Sequence, residues 1–360
     1  MAIVGVRPQI IKAAPLLHIL KRMRNIELQL IHTGQHYDYE MSRVFFEDLD
    51  LPDPLSNLGA GSGSQARQTA RMMIRIEDMI GELQPDTVIV FGDANTTLAG
   101  ALSGVKIGVR IAHVEAGLRS GDMSMAEEIN RILVDHCAHL LFAPTETAAR
   151  NLCREGIPGN RIRMCGDTMV DSMVAMKAGI DRSEILTRLG LEPDSYVALT
   201  THRAENVDNR KKLQEIITGA GLLKSPVVFP VHPRTKRRMA DFGLRTLLAE
   251  ASNIMLTKPL GYLDMLQLTQ QSRLLLTDSG GMQKEAFLLH VPCLTIRNST
   301  EWVETLRSGA NRLIPTESKR IRRECERILK DKRSKTRLGR LPSPFGDGSA
   351  ASRIVKSLLR

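Results

Sequence analysis

Short apolar runs rich in β-branched residues recur along this 360-residue chain, and a helical pattern follows each of them. A first series occupies residues 2–5, 28–34, 87–93, 109–117 and 139–145. A second series occupies residues 196–202, 227–232, 254–257, 273–281 and 292–296. Strands that alternate with helices form parallel sheets with right-handed crossovers. The two series therefore predict an α/β chain with two doubly wound, Rossmann-like domains.

The boundary between the predicted domains should fall near residues 168–190, where the turn-rich stretch CGDTMVDSM leads into a polar helical pattern. We expect an N-terminal domain over residues 1–170 and a C-terminal domain over residues 171–344. Ligands bind such sheets outside the carboxyl ends of the strands, so polar residues at those ends predict a cleft between the domains. These residues are Asp93, His113, Glu115, His202, His232, Asp278 and Ser279.

The net charge of +10 comes mostly from one segment and does not indicate a nucleic-acid partner. Residues 319–340 hold eleven Lys or Arg against three Asp or Glu. Apolar residues recur there at helical spacing, which predicts one amphipathic helix with a basic outer face. They are Ile321, Cys325, Ile328 and Leu329. Because no aromatic residues are interleaved with these charges, we expect no nucleic-acid partner.

Other bulk features are typical of a cytoplasmic protein. No apolar run is long enough to cross a bilayer, so we expect no membrane association. The first residues, MAIVGVRPQIIK, lack the basic and then apolar pattern of a signal peptide, and the first strand looks shortened beside Met1. Five cysteines are scattered singly, which favours reduced thiols and disfavours a zinc site.

Two glycine-containing turns between a strand and a helix are candidates for phosphate binding, because a helix N-terminus favours an anion. The first turn, GVRPQ, could gain positive charge from Arg7 and Lys12. The second, TDSGGMQKEA, offers backbone N–H groups and, one helical turn later, Glu285 as an acceptor for a ribose diol. A tight turn with no ligand is the competing interpretation for both.

Two further loops, THRAEN and FPVHPRT, each end a predicted strand with a histidine and an arginine. A lone loop histidine is usually structural. Two such loops at equivalent strand ends favour binding or catalysis by His202 and by His232 with Arg234.

Carboxylates crowd the segment HVEAGLRSGDMSMAEEINR, which follows an apolar run, and Asp93 ends the neighbouring run. A site that moves protons beside a bound anion would need such a mixture of charges. Helix capping and the helix dipole explain Asp93, Glu127 and Glu128 equally well. Spacing alone leaves both interpretations open.

Taken together, these strings resemble the non-hydrolysing UDP-N-acetylglucosamine 2-epimerase family. The resemblance covers nearly the whole chain through ten ordered motifs: GVRPQIIKAAP, HTGQHYD, GDANTTLAG, HVEAGLRS, AEEINR, FAPTE, THRAEN, FPVHPRT, TDSGGMQKEA and FGDGSAASRI. It implies two domains of the glycosyltransferase-B type with a UDP-sugar between them, and a final helix within residues 345–360 that returns to the first domain. It also implies a homodimer that serves polysaccharide synthesis and uses no metal, nicotinamide or flavin.

The implied reaction interconverts UDP-GlcNAc and UDP-ManNAc by elimination of UDP to 2-acetamidoglucal and re-addition. By motif position, the resemblance assigns proton transfer to Asp93, Glu115 and Glu127, and assistance to the leaving diphosphate to His202. It assigns UDP binding to Arg7, Lys12, His232, Arg234, Ser279, Gly280, Gly281 and Glu285. Gln35 and His36 match a segment where some bacterial members bind a second UDP-GlcNAc as an activator.

The chain departs from the best-known branch of the family at several positions. This chain has Val6 and Gln9 where that branch has Thr and Glu. It also has Ala94 in place of Thr and Lys284 in place of Glu. The sequence TEWVE at 300–304 replaces TERPE, as in the branch that acts on UDP-2,3-diacetamido-glucuronic acid. That sugar is the main rival to UDP-GlcNAc as the substrate. The rival classes of protein are a glycosyltransferase, a hydrolysing epimerase and a non-catalytic nucleotide-sugar sensor.

Overall fold

A computed structural model describes residues 1–35, 46–47 and 49–360, and these residues form two compact units. Met1–Met176 and Ser343–Arg360 make the first unit, and Lys177–Pro342 makes the second. The chain leaves the first unit inside the helix Thr168–Asp181. None of the helices in the described ranges combines the length and the apolar character needed to cross a membrane.

The first unit contains a parallel sheet of seven strands in the order β3-β2-β1-β4-β5-β6-β7. The strands are β1 (Ala2–Val4), β2 (Leu30–His32), β3 (Ser56–Asn57), β4 (Thr87–Phe91), β5 (Arg110–Val114), β6 (Leu140–Ala143) and β7 (Ile162–Met164). The helices before the boundary are α1 (Arg7–Lys21), α2 (Gln65–Leu83), α3 (Asn95–Lys106), α4 (Ala126–Cys137), α5 (Glu146–Arg154) and α6 (Thr168–Asp181). The order reverses beside β1, as in doubly wound nucleotide-binding sheets.

The second unit repeats this plan with six parallel strands in the order β10-β9-β8-β11-β12-β13. The strands are β8 (Val197–Thr200), β9 (Val227–Pro230), β10 (Ile254–Thr257), β11 (Leu274–Thr277), β12 (Cys293–Thr295) and β13 (Asn311–Leu313). The helices are α7 (Ile185–Leu189), α8 (Ala204–Val207), α9 (Arg210–Gly221), α10 (Pro233–Asp241), α11 (Arg245–Glu250), α12 (Tyr262–Gln270), α13 (Gly280–Leu288), α14 (Val303–Arg307), α15 (Ser318–Lys330) and α16 (Ser334–Leu338). Both faces of this sheet are buried by helices, which explains its continuous apolar strands.

The chain then returns to the first unit, where α17 (Ala350–Leu358) packs on α1. The carboxylate of Asp171 in α6 accepts hydrogen bonds from the backbone N–H groups of Ala350 at 3.2 Å and Ala351 at 2.9 Å. A carboxylate at a helix N-terminus satisfies backbone donors that the helix itself leaves unpaired.

The prediction of a single amphipathic helix over residues 319–340 is wrong in its extent. Ile321 and Cys325 are buried as expected, but α15 ends at Lys330 and the separate helix α16 follows. The break between α15 and α16 begins at Asp331. Its backbone oxygen accepts hydrogen bonds from Arg273 and from the Ser334 N–H, and its carboxylate accepts one from the Arg333 N–H.

Candidate active site

Two predicted site residues of the first unit lie at the ends of adjacent strands. Phe91 at the end of β4 is paired with Val114 at the end of β5. Asp93 follows β4 after Gly92, and Glu115 follows β5 directly. The sheet therefore brings these two carboxylates to one edge.

Glu115 occupies a constrained position. Its backbone has a φ of 73°, in the left-handed region that residues other than glycine rarely adopt, and its side chain is buried. The carboxylate contacts the ammonium of Lys12 on α1 at 2.5 Å. Burial acts to lower the pKa of Lys12, but the charges of Glu115 and then Asp93 outweigh it and hold that pKa above its usual range. Lys12 is therefore a permanent cation beside Glu115.

Arg131 on α4 joins two carboxylates. Its guanidinium, only 1% exposed, lies 2.6 Å from Asp93 Oδ2 and 2.8 Å from Glu128 Oε2. Glu128 also accepts hydrogen bonds from the backbone N–H groups of Ser120 and Gly121. Burial acts to raise the pKa of Glu128, but these donors and Arg131 outweigh it and lower that pKa. Glu128 thus has a structural role, and Arg131 is a residue that sequence reasoning missed.

Glu127 differs from its neighbour Glu128. It is half-buried in the first turn of α4, and no residue of the described ranges forms a hydrogen bond or an ion pair with its carboxylate. Asn130, one helical turn later, donates a hydrogen bond to the backbone oxygen of Asp93 at 2.9 Å. The helix that carries Glu127 is thereby tied to the end of β4.

His113 lies beneath this edge and is fully buried, so the prediction that its side chain points into a cleft is wrong. Its Nδ1 is 2.7 Å from Asp135 and its Nε2 is 2.8 Å from the backbone oxygen of Gly92. Asp135 also accepts hydrogen bonds from the Gly117 N–H and from Arg119. Burial acts to raise the pKa of Asp135, but His113 and Arg119 lower it overall. The network therefore fixes Gly92, which precedes Asp93, and His113 and Gly117, which flank Glu115.

The start of α1 carries the other predicted residues of this unit. Arg7 is the first residue of the helix and is half-buried. Gln9, a departure from the best-known branch, accepts hydrogen bonds from the N–H groups of Gly5 and Val6 and donates one to the backbone oxygen of Phe91. It therefore joins the ends of β1 and β4.

The predicted activator segment is described only in part. Gln35 accepts hydrogen bonds from the N–H group and the hydroxyl of Thr96 at 3.2 and 2.8 Å. His36 lies outside the described residues.

In the second unit a buried carboxylate shapes the loop that carries His202. Asp278 is fully buried, so it does not point into a cleft as predicted. It accepts hydrogen bonds from the N–H groups of His202 and Arg203, the hydroxyl of Thr201 and the amide of Asn206. The ring of His202 remains 40% exposed. The loop is thus fixed from below while the imidazole faces outward.

The two predicted histidines of this unit are brought together. The ring centroids of His202 and His232 are 5.5 Å apart, with a tilt of 35°. His232 caps α10, where its Nδ1 accepts a hydrogen bond from the Arg234 N–H at 3.2 Å. The exposed guanidinium of Arg234 pairs with Asp208.

The glycine-containing turn after β11 has the predicted form of a strand, a turn and a helix. The hydroxyl of Ser279 caps α13, which begins at Gly280. A Cβ on Gly280 would lie 2.1 Å from Glu301 Oε1, so a larger residue would displace the Glu301 carboxylate. Glu285 is buried in α13 and accepts a hydrogen bond from the hydroxyl of Tyr262 at 2.9 Å. Sequence reasoning missed Tyr262, because nothing in its local pattern marks it.

The family model of UDP-N-acetylglucosamine 2-epimerase matches residues 18–359 of this chain. The chain belongs to this family. It is 43% identical to the UDP-N-acetylglucosamine 2-epimerase of Methanocaldococcus jannaschii, over 99% of this chain and 97% of that one. The crystal structure of the Methanocaldococcus jannaschii epimerase in complex with UDP-GlcNAc and UDP has a TM-score of 0.92 to this chain, at 43% identity, and covers 99% of this chain and 98% of that one. The predicted family and the predicted class of two Rossmann-like domains are confirmed.

Within the family, the chain is also similar to an enzyme that is named for another substrate. It is 39% identical to the UDP-2,3-diacetamido-2,3-dideoxy-D-glucuronate 2-epimerase of Pseudomonas aeruginosa, over 100% of this chain and 99% of that one. Members of the UDP-N-acetylglucosamine 2-epimerase family are isomerases, so the predicted enzyme class is confirmed as well.

Proposed function

We propose that this chain inverts carbon 2 of the sugar in UDP-GlcNAc and so interconverts it with UDP-ManNAc. One observation carries the proposal: Asp93 and Glu115 share an edge of one sheet, where Lys12 and Arg131 hold them with buried positive charges. The chain combines this arrangement with 43% identity to an epimerase whose structure holds UDP-GlcNAc and UDP.

The chemistry requires both carboxylates and cations. The hydrogen on carbon 2 of a hexosamine is not acidic, because no carbonyl group adjoins that carbon within the ring. In the proposed route the bond from carbon 1 to the diphosphate breaks and its electron pair leaves with UDP. A carboxylate takes the proton from carbon 2, and the electrons of that C–H bond form the double bond of 2-acetamidoglucal. UDP adds back after a proton arrives on the opposite face.

Inversion needs proton-transfer groups on both faces of the ring, because a single base would return the proton to the side it came from. We assign proton transfer to Asp93, Glu115 and Glu127. Cations on neighbouring elements orient the first two carboxylates. Glu127 has no hydrogen-bond or ion-pair partner among the described residues, which leaves its carboxylate available to a substrate.

The departing diphosphate needs donors that stabilise its negative charge. We assign this role to the backbone N–H groups of Gly280 and Gly281 at the start of α13 and to the neighbouring hydroxyl of Ser279. Arg7, Lys12, His232 and Arg234 add charge or hydrogen bonds, and His202 assists the leaving oxygen. The contact between the rings of His202 and His232 supports a shared role.

We assign binding of the ribose diol to Glu285 and expect Tyr262→Phe to weaken UDP binding about tenfold, because the Glu285 carboxylate loses the hydroxyl that orients it. Isothermal titration calorimetry with UDP measures the change, and kcat should stay near the wild-type value. Tyr196→Phe is a matched control, since it removes a buried hydroxyl that bonds the backbone oxygen of Leu268 near the other end of α12 and does not contact Glu285. Equal weakening in both variants would contradict the assignment.

UDP-GlcNAc is the first choice of sugar, and the diacetamido-glucuronate is the second. The second sugar is supported by the named substrate of the Pseudomonas aeruginosa relative and by the sequence TEWVE. The two departures Lys284 and Trp302 are in contact, with the buried ammonium 4.1 Å from the centroid of the indole ring. Incubation with each nucleotide sugar in heavy water, with carbon-2 deuterium followed by NMR, identifies the substrate.

The same experiment separates the proposal from the rival classes of protein. An epimerase of this kind yields intact UDP-ManNAc that carries deuterium at carbon 2. A hydrolysing enzyme releases free ManNAc, a glycosyltransferase requires an acceptor, and a sensor gives no turnover. Unlabelled UDP-sugar after prolonged incubation with both substrates would refute the proposal.

We further propose that the chain acts as a homodimer through the outer face of α2 and α4. Ile74, Ile129 and Leu133 are between 42% and 62% exposed there. A groove of about 320 Å³ runs between the two helices over the start of α3. Apolar side chains of this size on neighbouring helices favour a second copy of the chain as the partner.

Ile129→Asp should convert the dimer to a monomer, because a carboxylate would have to be buried in the interface without a partner. Sedimentation velocity at micromolar concentration measures the mass. Leu222→Asp is a control of equal exposure, 43% against 42%, in the second unit. A dimeric Ile129 variant, or a wild-type monomer, would contradict this interface.

The proposed setting is the cytoplasm. All five cysteines are free, and Cys165, Cys293 and Cys325 are buried. Burial raises the pKa of each of these three thiols to about 12, so they are unreactive and fit a reducing compartment.

A further inference from the structure

A cavity of about 650 Å³ lies in the second unit, away from the residues of the candidate active site. It is lined at its floor by Pro292, Cys293, Ala310 and Asn311, which stand at the amino ends of β12 and β13. Ser279 and His202 follow the carboxyl ends of β11 and β8 in the same parallel sheet. The cavity and the candidate active site therefore lie at opposite edges of the sheet.

An excess of arginine surrounds one buried carboxylate beside this cavity. Arg312 and Arg327 contact Glu324 Oε2 at 3.0 and 3.1 Å, and Arg320 and Arg323 approach Glu324 Oε1 at 3.6 Å. The four guanidinium groups outnumber the one carboxylate that they share, and each is between 42% and 63% exposed. Arg312 and Arg327 also line the cavity. This arginine cluster can therefore offer donors to an anion without losing its hold on Glu324.

The wall of the cavity adds a polar group that lacks a protein partner. Ser334 begins α16 and is 6% exposed, and its hydroxyl has no hydrogen-bond partner within the described ranges. Native proteins rarely leave a buried hydroxyl unpaired, so such a group calls for an explanation. Its place in the lining of the cavity supplies one, because a bound ligand could accept its hydrogen bond.

Asp331 and its ion-pair partner Arg337 also line the cavity, and much of the remaining wall is apolar. Leu313, Ile328, Leu338 and Leu341 contribute to it. A volume of about 650 Å³ lies within the range of ordinary small-molecule sites. The lining thus combines an apolar surface with Arg312, Arg327 and the Arg337–Asp331 ion pair.

We propose that this cavity binds an organic phosphate with an apolar body. Guanidinium groups match the geometry of phosphate oxygens, and the arginines of the lining, Arg312, Arg327 and Arg337, outnumber its one carboxylate, Asp331. The apolar wall requires more than an inorganic ion. A soluble phosphate ester and the phosphate headgroup of a lipid share this chemistry, and the site is independent of the proposed epimerase activity.

Calorimetric titration of the full chain with phenyl phosphate tests the proposal, with and without UDP. We expect binding that UDP does not displace, and about tenfold weaker binding of inorganic phosphate. Displacement of phenyl phosphate by UDP, or equal affinity for inorganic phosphate, would overturn it. Flotation with phosphatidylcholine vesicles that contain phosphatidic acid identifies the source: binding to them supports a lipid headgroup, and binding of phenyl phosphate alone supports a soluble ester.

Variants localise the site. Arg327→Gln should weaken phenyl phosphate binding about tenfold, because it removes a charge-assisted hydrogen bond from the cavity wall. Arg322→Gln is the matched control: it makes the same charge change on the same helix, at an arginine that contacts Glu326 outside the cavity. Ser334→Ala should weaken binding severalfold without lowering Tm, since the hydroxyl bonds no protein group within the described ranges. Equal effects of the two arginine variants would refute the site.

Discussion

Glu115→Gln should lower the rate of carbon-2 exchange by about 10²–10⁴-fold while UDP still binds. The amide keeps the size and shape of the side chain but cannot accept the proton. The left-handed backbone at this position, with a φ of 73°, places the side chain of residue 115 at the sheet edge. The rate of deuterium uptake from heavy water measures the loss, and calorimetry measures UDP affinity.

Lys12→Gln separates a chemical role of Glu115 from an electrostatic one. The two side chains are in contact at 2.5 Å, so either substitution breaks the ion pair. If Glu115 transfers the proton, its Gln variant loses kcat, whereas the Lys12 variant mainly weakens UDP binding. Normal exchange in the Glu115 variant, or the same profile in both, would show that the assignment is wrong.

Arg131→Met should lower the free energy of unfolding by about 3–5 kcal/mol, because it leaves the buried carboxylate of Glu128 without its charge partner. We expect exchange activity to fall strongly too, since Asp93 loses the guanidinium that orients it at 2.6 Å. Urea denaturation measures the first effect and deuterium uptake measures the second.

The double variant Glu128→Met with Arg131→Met distinguishes the two effects. It removes the buried carboxylate together with its partner, so part of the lost stability should return, although the N–H groups of Ser120 and Gly121 lose their acceptor. Activity should stay low, because Asp93 still lacks Arg131. Recovery of both quantities would mean that Arg131 serves the fold alone, and full stability in the single variant would contradict the importance of the buried pair.

The central strands were predictable from the sequence, and three strands at sheet edges were not. Residues 88–91 of β4 are buried on both faces, so their sequence is an unbroken apolar run. Ser56–Asn57, Ile162–Met164 and Asn311–Leu313 are short and carry polar or charged residues, so they show no such run. Their pairing with a neighbouring strand, and not their own pattern, makes them strands.

The candidate site, like the fold, was predictable from the sequence only in part. Asp93 and Glu115 follow apolar runs, and the topology of a parallel sheet brings such positions together. The partnership of Lys12 with Glu115 joins residues 103 positions apart and leaves no local signal. His113 and Asp278 also stand at strand ends, yet both side chains are buried. The position of a residue along a strand does not reveal whether its side chain points into the core or toward solvent.

The return of the chain to the first unit has a consequence for biosynthesis. The second unit is inserted within the first, because residues 343–360, which follow it in the chain, belong to the first unit. The first unit therefore cannot complete its fold until the whole of the second unit has been synthesised. Until α17 is synthesised, the carboxylate of Asp171 lacks the N–H donors of Ala350 and Ala351, and the apolar surface of α1 that α17 covers stays exposed.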